Sequence, residues 1–135
     1  MTDLTLSKNC KNIPSYAFQN CQGLKELVIP EGVETIGYDS FFNCYYINSV
    51  SFPSTLKSID SYAFGNCNSI EEMHISDIAS WCKVSHSNYI MSSGEGKLYL
   101  NGELVTDLVI PEGVTDINSY AFMHCVSIKN VYIHF

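Results

Sequence analysis

Six cysteines and four histidines are the residues of this sequence best suited to chemistry. Cys82 and His86 stand four residues apart and would share one helix face, the minimum arrangement for a thiolate nucleophile with its base. No third orienting residue or oxyanion donor accompanies them, so a cysteine-based enzyme is the weakest of the functional readings. His74, His86, His124 and His134 show neither Cys-x-x-Cys nor His-x-x-x-His spacing, and no metal or other cofactor is expected. Cys21, Cys44, Cys67 and Cys125 follow a different logic. The first two intervals between them are 23 residues each and the third is 58, one period of 23 and one of 35. A cysteine recurring at one repeat position is first a small buried hydrophobe in a packing column. Cys21 and Cys44 are the pair that a disulfide could join, if their Cα atoms come within about 7 Å.

The column belongs to a longer unit, L-x-x-L-V-I-P-E-G-V-x-x-I-G-x-x-[AS]-F-x-x-C, complete over Leu24 to Cys44. Its centre, LVIPEGV at Leu27 to Val33, returns unchanged at Leu108 to Val114. Fixed self-similarity signals a solenoid. The expected fold is an α/β solenoid with a short strand and a short helical turn in each 23-residue repeat, and with one hairpin-containing insertion. It divides into repeats 1–23, 24–46, 47–69, 70–104 with the insertion, 105–127 and a terminal strand 128–135, all in a single domain 1–135.

Leu27 and Ile29, Val50 and Phe52, Met73 and Ile75, Leu108 and Ile110, Val131 and Ile133 each flank a residue that must face away, which is strand alternation. Pro-Glu-Gly then fits a tight turn with proline second and glycine fourth. Ile36, Ile59 and Ile117 return the chain to the core. Gly37, Asp60 and Asn118 could cap a helical turn carrying Phe18, Phe41, Phe64 and Phe122 in one spine. In the long repeat, Ser76 could cap a helix from Asp77 to Lys83, Ser85 to Gly96 reads as a mobile loop, and Asn101-Gly102 spells a type I′ hairpin.

Fourteen acidic residues against seven lysines give a net charge of −7, a poor match for nucleic acid or an anionic membrane surface. No apolar run approaches the roughly 18–20 residues of a membrane helix, so no membrane insertion is expected. Met1 to Asn12 lacks the basic-then-apolar plan of a secretory signal. The expectation is a fragment of a longer array, or export specified elsewhere.

The unit L-x-x-L-x-I-P-x-x-V-x-x-I-x-x-x-A-F-x-x-C closely resembles the BspA-like, or Treponema pallidum-type, leucine-rich repeat, over nearly the whole chain. The stretch His74 to Val105 is similar to an insertion such proteins carry. The resemblance implies a leucine-rich-repeat solenoid and an extracellular or cell-surface protein, several relatives acting as adhesins. It supplies no catalytic residues.

In such a horseshoe the outward strand residues are the default binding surface. One outward column reads Thr5, Val28, Ser51, His74, Val109, Tyr132; its neighbour reads Asp3, Glu26, Ser49, Glu72, Asp107, Asn130. Glu72 and Asp107 would repel if the insertion leaves them adjacent, and an acidic strip would suit a basic partner. The bland alternative is a solvated polar face. Trp81 and Tyr89 in the insertion are the second candidates, since aromatic residues dominate interface hot spots. Against that, Trp81 and the hairpin could fold back to patch the gap left by the missing phenylalanine and cysteine, leaving Ser87 to Gly94 for recognition. The leading reading is a non-enzymatic module binding a protein or glycan through the strand face or the insertion loop; the alternative is a structural spacer. The apolar ends Met1-Leu4-Leu6 and Val131-Ile133-Phe135 point to self-association through uncapped solenoid ends.

Overall fold

The computed structural model describes residues 4–92 and 94–134. In chain order the elements are β1 (Asn12–Ile13), β2 (Glu26–Val28), β3 (Thr35–Ile36), β4 (Ser49–Ser51), β5 (Ser58–Ile59), β6 (Glu72–Ile75), α1 (Ile78–Lys83), β7 (Ser85–His86), β8 (Lys97–Leu100), β9 (Glu103–Leu104), β10 (Asp107–Ile110) and β11 (Asn130–Ile133). They wind into a solenoid whose regular coils each pass through three segments: a strand, a second two-residue strand, and a run of turns.

The first segment builds a sheet in the order β2-β4-β6-β8-β9, parallel except for the final hairpin, with β10 and β11 as a separate parallel pair. Alternation sets its faces: Leu27 is 1% exposed and Val28 62%. The second segment stacks β1, β3, β5 and β7 in parallel, placing Ile13, Ile36, Ile59 and His86 in one column. Ile117 does not extend it. That isoleucine is 45% exposed, because the ladder ends at β7 and no strand forms around it.

Between these two segments lies the Pro-Glu-Gly turn. Val33 N–H donates to the Pro30 carbonyl, and Gly32 takes φ 104°. Proline is therefore first and glycine third, where a type II turn demands positive φ. This turn also fastens to the one in the next coil: the Ser54 amide and hydroxyl donate to the two Glu31 carboxylate oxygens at 2.8 and 3.0 Å.

The third segment is a staircase of turns where a helical turn was expected. Alternate amides close four-residue turns, as Ser40 to Gly37, Phe42 to Asp39 and Cys44 to Phe41; the amides between them, Phe41 and Asn43, donate to Ala63 and Gly65 of the next coil. A helix would direct every amide along its own chain. Positive φ at Tyr16 and Asn20, Asp39 and Asn43, Tyr62 and Asn66 rotates alternate amides toward the neighbouring coil instead. The Phe–Cys spacing that suggested a helical face also satisfies this turn, because the Cys44 amide reaches the Phe41 carbonyl.

Phe18, Phe41 and Phe64 stack at centroid distances of 5.4 and 5.3 Å. Phe122 is separated from them by the inserted coil. There α1 is capped by Asp77, whose carboxylate accepts from the Ser80 amide at 2.8 Å; Ser76 stands one residue outside. Trp81 lies on Phe52 at 4.9 Å and donates Nε1–H to the Ala121 carbonyl at 2.7 Å. The stretch read as a mobile loop instead supplies β7 and two core residues, Ile90 and Met91, both buried. Volume left by the absent phenylalanine and cysteine is thus refilled, each buried apolar side chain contributing about 1.5–3 kcal/mol.

The Asn101-Gly102 hairpin forms as expected, with φ of 50° and 83°. Its first strand does more than protrude. β8 pairs in parallel with β6 and takes the next strand slot in the solenoid.

Candidate binding surface

The parallel register aligns Val28, Ser51, His74 and Tyr99 in one outward column, and Glu26, Ser49, Glu72 and Lys97 in the next. On the separate pair, Val109 registers with Tyr132 and Asp107 with Asn130. Asp3 lies outside the described residues.

Two expectations about this face are corrected. Glu72 is not adjacent to Asp107: β8 intervenes and sets Lys97 opposite Glu72. The Glu72 carboxylate also meets His74 Nε2 at 3.2 Å, and Asp107 accepts from the Asn130 side-chain amide at 2.8 Å. Among the described residues the carboxylates on the face are thus spaced, Ser49 standing between Glu26 and Glu72, and form no continuous acidic strip. Trp81 is the second correction. It is 2% exposed because it fills the core, so it offers nothing to a surface ligand. Tyr89 is 46% exposed, with its ring edge-on to His124 at 5.3 Å, on a different part of the molecule.

Tyr99 belongs to the outward column although the sequence reading assigned it to the insertion. Its ring stacks on His74 at 4.6 Å with planes 7° apart, forming a paired aromatic plate at the middle of the face. Leu98-Tyr99-Leu100 repeats the in-out-in pattern of Leu27-Val28-Ile29, a signal that could have placed it. A tyrosine row on the turn side was also missed: Tyr16, Tyr38 and Tyr62 meet edge to face at 5.6 and 6.1 Å. Part of its signal is the tetrapeptide SYAF at residues 15–18 and 61–64; Tyr38 stands one repeat position earlier, in GYDS.

The thiols are arranged for packing. Cys44 and Cys67 donate S–H to the carbonyls of Phe18 and Phe41 in the preceding coils, at 3.2 and 3.1 Å. Burial raises Cys44 to about 11, and Cys67 and Cys125 to about 12. All six cysteines are free. Cys82 is also raised, by burial and then by the Asp77 carboxylate, while burial lowers His86. A nucleophilic thiol needs the opposite shift. Among the described residues no group of three or more His, Cys, Asp or Glu side chains could hold a metal ion, and no helix is long and apolar enough to cross a membrane.

Stacked parallel strands, a proline-bounded turn and a buried Phe–Cys spine repeated coil on coil define a leucine-rich-repeat solenoid. The chain belongs to the BspA-type leucine-rich repeat family, whose model matches in six copies over residues 1–93 and 94–134. No curated protein sequence matches it. Among solved structures it is similar to a T. pallidum leucine-rich repeat protein, at 24% identity and TM-score 0.53 over 89% of this chain. It is also similar to a leucine-rich cell surface protein of Faecalibacterium prausnitzii, at 21% identity and TM-score 0.47 over 89% of this chain. The chain spans 50% and 38% of those two proteins.

Proposed function

We propose that this chain is a non-enzymatic recognition module that binds a protein partner through its outward strand face. The observation that carries this reading is the exposure of large apolar side chains there: Val28 is 62% exposed, Val109 47% and Tyr132 53%. Apolar and aromatic groups on a rigid sheet bind at little entropic cost, and the His74–Tyr99 plate has the composition of an interface anchor. Raised thiol pKa values support the absence of thiol catalysis. Display at the cell surface is part of the same reading and is supported by family membership.

A photo-crosslinker placed at Val28 or Tyr132, with the exposed Gln19 on the turn side as control, tests it against proteins of the natural surroundings. The strand-face positions should give a discrete protein adduct that excess unlabelled chain removes and that Val28→Asp abolishes. That substitution should leave stability within about 0.5 kcal/mol. A spacer would give no saturable adduct.

Self-association belongs beside this reading on a separate observation. Val131 and Ile133 are 54% and 51% exposed, although their column partners Leu108 and Ile110 are buried. A parallel strand from a second copy would cover them. Met1 and Phe135, named with these ends above, lie outside the described residues. Sedimentation of Val131→Asp against the parent chain tests it: the variant should remain monomeric at concentrations where the parent associates.

A further inference from the structure

Asparagines at one repeat position form a side-chain ladder along the turn side. Asn43 donates to Asn20 at 3.0 Å and Asn66 donates to Asn43 at 2.9 Å. The ladder stops at Asn66, because the irregular coil that follows places no asparagine in register. Among the described residues no donor reaches the Asn66 Oδ1. At this break there is a cleft of about 200 Å³, floored by Phe64, Cys67 and Ile90. Its polar wall comprises the Asn66, Asn68 and Asn88 amides, the Asp60 carboxylate and His86. Tyr62 and Tyr89, 53% and 46% exposed, flank it.

His86 gives a second, independent observation. It is 5% exposed and stands in a column otherwise occupied by isoleucine. Its Nδ1 meets the Asn88 carbonyl at 3.3 Å, an acceptor, so Nδ1 carries the proton and Nε2 is left as an acceptor. That Nε2 is buried and has no hydrogen-bond partner among the described residues. A polar atom in this state is costly unless something supplies a donor.

We propose that this cleft binds a neutral saccharide. The lining presents acceptors on Asp60 and Asn66, donors on the asparagine amides, and aromatic rings beside an apolar floor, with His86 packed behind them. A sugar ring matches all three features, since each hydroxyl both donates and accepts and its C–H face packs on aromatic carbon. No lysine lines the cleft and the chain carries −7, which disfavours phosphate and acidic sugars; a single carboxylate is a thin site for a basic peptide. The volume, below the roughly 300–1,000 Å³ of pockets for drug-sized ligands, suits one ring. A more open depression lined by Tyr38, Ser58, Ser61 and Ser85 shares Asp60 and His86 with it, giving room for a second ring.

The site is separate from the strand face, and its test reads different side chains. Amide chemical shifts of the whole chain are followed by NMR during titration with methyl hexosides, N-acetylhexosamine and neutral disaccharides, with inorganic phosphate and oligolysine as controls. The expected result is saturable shifts at Asn66, Asn88 and Tyr89 with one or more neutral sugars, at a Kd of about 1 mM or tighter. Tyr89→Ala and Asp60→Ala, both at exposed positions, should each weaken binding about ten-fold, or 1.4 kcal/mol. Val28→Asp should not change it. Absence of saturable shifts with every neutral sugar, shifts only with oligolysine or phosphate, or binding indifferent to both cleft substitutions would each overturn the proposal. None of these outcomes bears on the strand-face adduct, which the crosslinking experiment reads independently.

Discussion

Coils 24–69 and the stretch 70–104 solve the same packing problem by different means. In the regular coils several columns keep one residue type, Ile36 with Ile59, Phe41 with Phe64 and Cys44 with Cys67, and side-chain bonds join residues 23 apart: Asn to Asn twice, the Thr35 hydroxyl to Asn12, the Gly32 amide to the Thr55 hydroxyl. In the irregular stretch several core columns change residue. Trp81 packs where the phenylalanine stack ends, His86 replaces isoleucine, and Ile90 and Met91 come from a segment of different length. Yet Trp81, Met91 and Leu98 are as buried as anything in the regular half. Burial therefore constrains volume and polarity, and the asparagine position adds a second demand, that a side chain bond its own copy in the next coil. The irregular half is free of that second demand, and there the solenoid acquires a buried imidazole, an aromatic plate and a cleft.

The largest effect should come from emptying either kind of core. Phe41→Ala removes a fully buried ring held between two others and should cost about 3–5 kcal/mol in denaturant unfolding. Trp81→Ala should fall in the same range. If it costs under about 1 kcal/mol, the inserted coil is not part of the common core and the comparison fails.

A ladder bond should matter less than a core ring, and only in the regular half. Asn43→Ala removes two side-chain bonds and places alanine at φ 63°, for a loss of about 1–2 kcal/mol. Asn101→Ala meets similar strain at φ 50° but has one 3.3 Å bond, to the Ser76 carbonyl, and should cost less. Equal losses would show that backbone strain, and not the ladder, explains the repetition.

The smallest effect is confined to acid. Burial holds His86 below its ordinary value, so as pH falls through about 6.5 the unfolded chain takes the proton first. Stability should be full above that pH and decline from there down to the folded pKa. His86→Ile, which restores the column residue, should remove the decline; an unchanged slope in urea melts from pH 7.5 to 5 would assign it to another group.

Much of the architecture was legible because it rests on two periods. Alternation at two residues placed Leu27, Val28 and Ile29 correctly, and the 23-residue recurrence placed Val28, Ser51 and His74 in one register. Asn101-Gly102 announced its hairpin because few other dipeptides take two positive φ angles. What was lost lay where those signals are ambiguous. Met73 and Leu98 are 25 residues apart, off the period, so the pairing of β8 with β6 was hidden, and with it the places of Tyr99 and Lys97. Phenylalanine and cysteine three apart fit a helix and a closed turn equally well. Trp81 read as surface or core with the same residues around it, and only the partner carbonyl of Ala121, 40 residues away, decides.

Hydrogen exchange at the Lys97 and Asn101 amides tests most directly whether the insertion continues the solenoid and so brings Tyr99 into the strand face. These amides donate to the Glu71 and Ile75 carbonyls at 2.8 and 3.0 Å, and should be protected as strongly as Asn48 and Phe52 in the regular coils. Exchange at the rate of an exposed loop, with Asn48 and Phe52 still protected, would contradict that placement.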